Sequence, residues 1–114
     1  KCKVTRIIEK PWGREEIWAE TDSYVAKKIF IKKGHKLSKQ YHRVKEETVF
    51  VAEGNLRLQF EEHARLMIAG ESCHITPGTV HRFCADRNDV VLIEVSTPHL
   101  DDVVRLEDDY GRRD

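Results

Sequence analysis

No stretch of this sequence carries an apolar stripe at helical spacing for as long as three turns, and this limits the fold more than any single motif does. Glycine and proline instead punctuate the chain, at Pro11, Gly13, Gly34, Gly54, Gly70, Pro77, Gly78, Pro98 and Gly111. The segments between them are rich in Val, Ile, Thr, Tyr and Phe, which is the pattern of many short strands. "NLRLQF" alternates cleanly, with Leu56, Leu58 and Phe60 pointing one way and Arg57 and Gln59 the other. The preceding "ETVFVAEGN" predicts a hairpin around Gly54-Asn55. "YVAKKIFI" (Tyr24 to Ile31) predicts another strand, and "VVLIEVS" (Val90 to Ser96) predicts one buried on both faces. Only the tail after Leu100 leaves room for a short helix. The expected fold is therefore all-β: a sandwich or barrel of about eight to ten strands, with a jelly roll the usual solution at this size.

At 114 residues the chain predicts one domain, spanning 1–114, with a core that needs no disulfide staples. Its 20 Lys and Arg balance 20 Asp and Glu, so no global field draws it to nucleic acid or to a membrane. The local distribution is uneven. From Ser23 to Lys45 there is no acid, and Lys27, Lys28, Lys32, Lys33, Lys36, Lys39, Arg43 and Lys45 all fall there. Such a run reads either as a solvated face or as an anion-binding patch. Three cysteines (Cys2, Cys73 and Cys84) without C-x-x-C spacing argue against a disulfide framework. With no apolar run of bilayer length and no signal-peptide pattern, the expected compartment is the cytoplasm.

The chemistry concentrates in "GHKLSKQYHRVKEETVFVAEG" (Gly34 to Gly54). Gln40 and His42 are two apart, so on a strand they share a face. If that face is interior, Glu47 joins them once a turn at Arg43 to Glu46 starts the next strand, giving three ligand-capable groups from one hairpin. "CHITPGTVHRF" offers a fourth, because Pro77-Gly78 turns the chain and His81 enters the following strand. Imidazole, carboxylate and amide oxygen together suit a divalent first-row metal: Zn, Mn, Fe, Co or Ni.

These segments resemble the two cupin motifs. Gly34, Gln40, His42, Glu47 and Gly54 stand at the five fixed places of the first, with Gln40 where most cupins have a histidine. "GESCHITPGTVH" is similar to the second, with Gly70, Gly78 and His81 in place and Thr76 at its proline position. The variant Gln-x-His-x4-Glu resembles that of the type II phosphomannose isomerases. "KPWGREEIW", "AKKIFIKKGHKLSKQYH" and "IEVSTPHLDDVVRLEDDYGR" are similar to other stretches of that family. The sequence departs from the family at Thr48-Val49, which replace a histidine and an aromatic after the glutamate, and at Ala85, which replaces an asparagine. The family often forms the second half of a bifunctional enzyme behind a guanylyltransferase domain.

The resemblance implies a single cupin barrel with a short irregular or helical C-terminal tail, and a metal held by Gln40, His42, Glu47 and His81. It further implies a phosphorylated sugar as partner and isomerisation of mannose 6-phosphate to fructose 6-phosphate. Glu47, Lys27, Lys36 and Arg105 are the candidate catalytic residues, the cations serving phosphate binding or proton transfer. Lys27 shares strand parity with Ile29 and Ile31 and so points inward. A homodimer is expected, paired through the strand around Val4 to Glu9. Two other classes stay open: a metal- and sugar-binding module without turnover, and an oxygenase built on His42, His81 and Glu47.

Overall fold

The computed structural model describes residues 5–111. These form eleven strands and no helix: β1 (Arg6–Lys10), β2 (Gly13–Glu20), β3 (Val25–Ile31), β4 (Lys39–Tyr41), β5 (Glu47–Glu53), β6 (Leu56–Phe60), β7 (Ala64–Met67), β8 (Ser72–Ile75), β9 (His81–Cys84), β10 (Val90–Ser96) and β11 (Val104–Glu107). A six-stranded sheet runs β1-β2-β3-β10-β5-β8 and a five-stranded sheet runs β11-β4-β9-β6-β7. Every pairing is antiparallel. The all-β jelly-roll expectation holds. No helix among the described residues is long and apolar enough to cross a membrane.

Alternation decides what lies between the sheets. Ile29 and Ile31 of β3, Val49 and Val51 of β5 and Leu92 of β10 face Leu56, Leu58 and Phe83 of the other sheet, all nearly inaccessible to solvent. Burying each of the larger ones contributes roughly 1.5–3 kcal/mol. At one end of the sandwich the same inward parity turns polar. Ile31 and Ile29 are followed by Lys27, Val51 and Val49 by Glu47, Leu92 by Glu94 and Phe83 by His81, all four buried. Register holds these together, because Glu94 lies opposite Lys27 on one side and Val49 on the other.

Three expectations need correction. The segments flanking Gly54-Asn55 are both strands, but they do not pair: β5 lies between β10 and β8, and β6 between β9 and β7. The turn carries the chain from one sheet to the other. Gly54 has φ +83, and a Cβ there would meet the Asp89 carbonyl oxygen at 2.2 Å, so the corner requires glycine. The same crossover occurs between β4 and β5, so Gln40 and His42 approach from one sheet and Glu47 from the other rather than from one hairpin. Secondly, the C-terminal tail is not helical. Residues 104–107 form β11 on the free edge of β4, with Val104 opposite Tyr41 and Arg105 opposite Gln40. Its alternating side chains suit an edge position that the β4 backbone leaves open. Thirdly, β10 is buried on both faces only where it begins, since Val90, Val91 and Leu92 are buried but Val95 on the outer face is 47% exposed. Lys1 to Val4, including Cys2, lie outside the described residues, whereas Cys73 and Cys84 are free thiols.

Candidate metal centre

His42, Glu47 and His81 converge at the polar end of the sandwich, with one ligand atom from each lying within 4.8 Å of the others. His42 follows directly on β4, Glu47 opens β5 and His81 opens β9, so the cluster bridges the two sheets. His42 Nδ1 lies 2.5 Å from the Asp102 carbonyl and His81 Nδ1 2.9 Å from the Thr79 carbonyl. A carbonyl only accepts, so each ring donates from Nδ1 and turns the lone pair of Nε2 inward. His42 Nε2 is 2.8 Å and His81 Nε2 3.9 Å from Glu47 Oε1. Neither Nε2 nor either Glu47 oxygen finds a hydrogen bond of good geometry, although all are buried. Inward-facing acceptors at this spacing fit a cation between them.

The electrostatics agree. Burial pushes the His81 ring below the usual histidine range, towards the neutral form that ligates metals. Burial opposes the charge on Glu47, but contacts with His42 and Glu94 and the nearby Lys45 outweigh it, holding the carboxyl far below the usual range. Burial and the charge of Glu47 push Glu94 upward. Gln40 lies opposite His81 in the β4–β9 register, and its Oε1 accepts from Ser38 Oγ at 2.7 Å. An amide oxygen keeps a second lone pair for another partner.

Beside the cluster is a cavity of about 80 Å3, walled in part by His42, Gln40, Glu15 and Trp12 and by four cations, Lys10, Lys27, Lys45 and Arg105. Lys27 Nζ sits 3.3 Å from Glu15 and 3.7 Å from Glu94. Burial would lower its pKa, but the carboxylates of Glu94 and Glu15 prevail and push it up to about 12. Lys45 Nζ is 3.2 Å from Glu94 and 3.8 Å from Glu47.

Of the residues singled out in the sequence, His42, Glu47 and His81 come together, and Gln40, Lys27 and Arg105 line the adjoining cavity. Lys36 does not join them: its ammonium lies 3.6 Å from Asp109, and its side chain is 37% exposed. The basic run is therefore divided, with Lys27 and Lys45 buried and Lys32, Lys33 and Arg43 exposed. Thr48 faces outward, and Val49 sits in the core opposite Glu94. Glu15, Lys45, Glu94 and Lys10 were missed. Parity was the available signal for Glu94, two residues beyond Leu92, and for Glu15, two before Ile17.

A family model described as mannose-6-phosphate isomerase C-terminal matches residues 1–108. The chain is 34% identical over 116 residues to a mannose-1-phosphate guanylyltransferase of Escherichia coli (strain K12), covering 96% of this chain and 24% of that protein. It is 35% identical over 113 residues to the mannose-1-phosphate guanylyltransferase ManC of Salmonella typhimurium, covering 94% of this chain and 23% of that one. The chain thus spans about a quarter of the length of these curated relatives. Among solved structures, a RmlC-like cupin from Shewanella frigidimarina superposes with TM-score 0.73 at 20% identity, over 82% of this chain and 84% of that chain. Fold and motif agree, and the chain belongs to the mannose-6-phosphate isomerase C-terminal family, built as a cupin around a buried His-Glu-His cluster that is compatible with a metal ion.

Proposed function

We propose that this chain binds a divalent metal through Gln40, His42, Glu47 and His81 and interconverts an aldose and a ketose phosphate, mannose 6-phosphate and fructose 6-phosphate first among them. The observation that carries the reading is a cavity beside the His42-Glu47-His81 cluster, on which Gln40 and His42 meet Lys10, Lys27, Lys45 and Arg105. Family membership supports the substrate class. Sites that enclose a whole ligand usually measure about 300–1,000 Å3. With a cavity of about 80 Å3, only the reacting carbons and their oxygens enter, and the rest of the sugar lies towards the mouth.

When bound, the metal supplies Lewis-acid polarisation of the substrate oxygens. Lys27 stays protonated at neutral pH, so it serves as a fixed positive charge for a developing oxyanion and not as a base. Glu15, on the cavity wall beside Lys27, is the carboxylate positioned to carry the proton between C1 and C2. Lys10 and Arg105, from the edge strands β1 and β11, take the phosphate. The proposal includes a cytoplasmic homodimer paired along the free edge of β1, checked by light scattering at micromolar concentration, where a monomer would remove it.

The test is a coupled assay of the hexose phosphates on protein reconstituted in turn with Mn, Co, Ni, Zn and Fe. Turnover should require metal and phosphate, with free mannose a poor substrate. Metal and sugar phosphate bound without turnover would favour the binding-module reading, and oxygen consumption by the iron form the oxygenase.

A further inference from the structure

The segment between β10 and β11 contributes no metal ligand, yet it touches the site twice through one residue. The turn that crosses from β4 to β5 exposes four successive backbone amides, Arg43 to Glu46, and all four donate to that segment. Arg43 N reaches Asp102 Oδ1 at 3.0 Å, and Val44 N and Lys45 N reach Oδ2 at 2.7 and 2.8 Å. Glu46 N reaches Thr97 Oγ1 at 3.1 Å, and the Glu46 carbonyl accepts from Thr97 N at 3.0 Å. Amides in a turn need partners, and these partners define its path. Separately, the main-chain carbonyl of Asp102 accepts from His42 Nδ1.

We propose that Asp102 is a positioning residue for the metal centre, holding two ligand-bearing segments at once: its carbonyl sets the tautomer and tilt of His42, and its carboxylate sets the turn that delivers Glu47. The inference rests on the metal-binding part of the function proposed above. Residues that orient a ligand through its distal nitrogen typically account for about 10–100-fold in metal affinity. Asp102 does this for one ligand while shaping the approach of another from the opposite sheet.

Cobalt(II) tests the inference, because its visible absorption reports coordination geometry and its affinity can be measured by chelator competition. Asp102→Ala keeps the main-chain carbonyl on His42 but removes the carboxylate that sets the turn to Glu47. It should therefore bind cobalt about tenfold more weakly, the lower end of that range, with an altered spectrum and an unchanged far-UV circular dichroism. Asp102→Asn should fall between it and wild type, since one amide oxygen can still accept from Val44 and Lys45. Asp109→Ala serves as control. It cuts a different tie of the C-terminal tail, 2.9 Å to Arg82 and 3.6 Å to Lys36, and should bind like wild type. If Asp102→Ala does not fold, the comparison of Asp102→Asn with wild type decides by the same criterion. Folded Asp102 variants with wild-type affinity and spectrum would overturn the inference while leaving the metal site standing. Equal weakening by Asp109→Ala would overturn it too, by tracing the effect to docking of the tail as a whole. A wild-type protein that takes up no cobalt would overturn the metal reading and this inference together.

Discussion

Replacing Lys27 by methionine tests the buried ionic layer directly. The side chain is 10% exposed, and its ammonium sits between Glu15 and Glu94. A rise from 10.5 to about 12 corresponds to ~2 kcal/mol in favour of the charged form in the folded protein. Methionine preserves the packing of the aliphatic stem but leaves Glu94, 3% exposed, with Lys45 as its remaining cation at 3.2 Å. Removing one partner from a buried pair costs roughly 3–5 kcal/mol. The expected loss is therefore ~3 kcal/mol, or on the order of 10 °C in Tm for a chain of this size. Urea unfolding of metal-free wild type, Lys27→Met, Glu94→Gln and the double variant provides the assay. The double variant should be about 1–2 kcal/mol less destabilised than the sum of the singles. Because folding raises the Lys27 pKa, its contribution is fully present below pH 10.5 and is lost as pH rises through about 12. The gap between wild type and Lys27→Met should narrow accordingly. A loss below about 1 kcal/mol with additive singles would refute the account of a coupled layer.

His42→Ala and His81→Ala should abolish stoichiometric metal, read by elemental analysis, while circular dichroism still reports a folded barrel, because the apolar end of the core is complete without them. Metal affinity should fall on acidification, since protons compete with the metal for histidine nitrogens; the lowered His81 value places its loss below the ordinary histidine range. Cobalt affinity that stays constant through and well below that range would exclude histidine ligation. Arg105→Gln should raise KM for the sugar phosphate several-fold and reduce its salt dependence while metal content stays constant. An unchanged KM would remove Arg105 from phosphate binding.

Much of the fold was legible because period-two alternation needs only local sequence. The inward parity of Lys27 and the alternation of β6 follow from it, whereas the joining of His42, Glu47 and His81 was carried by the resemblance to the two cupin motifs. What alternation does not carry is which sheet a strand enters. The glycine turn at Gly54 looks the same in sequence whether its strands pair or part, and only the close approach to Asp89 distinguishes them. Lys36 and Lys27 belong to the same acid-free run, but strand position sends one to Asp109 at the surface and the other to Glu15 and Glu94 inside. Asp102 was not legible at all, because its partners lie nearly sixty positions away and are backbone atoms, which are the same whatever residue bears them.

The strand order has a consequence for synthesis. β10 is the central partner of both β3 and β5, yet it is translated after them. At about 5–20 residues per second, roughly 3–12 s pass between the emergence of Ile31 and that of Val90. During that interval Ile29, Ile31, Val49 and Val51 have no β10 to cover them, and the nascent chain presents two unpaired edges. Ribosome-stalled chains ending before Val90 should therefore be cut readily by protease, and chains released beyond Glu107 should resist it. Resistance in the shorter chains would mean that the two halves fold independently of the strand that joins them.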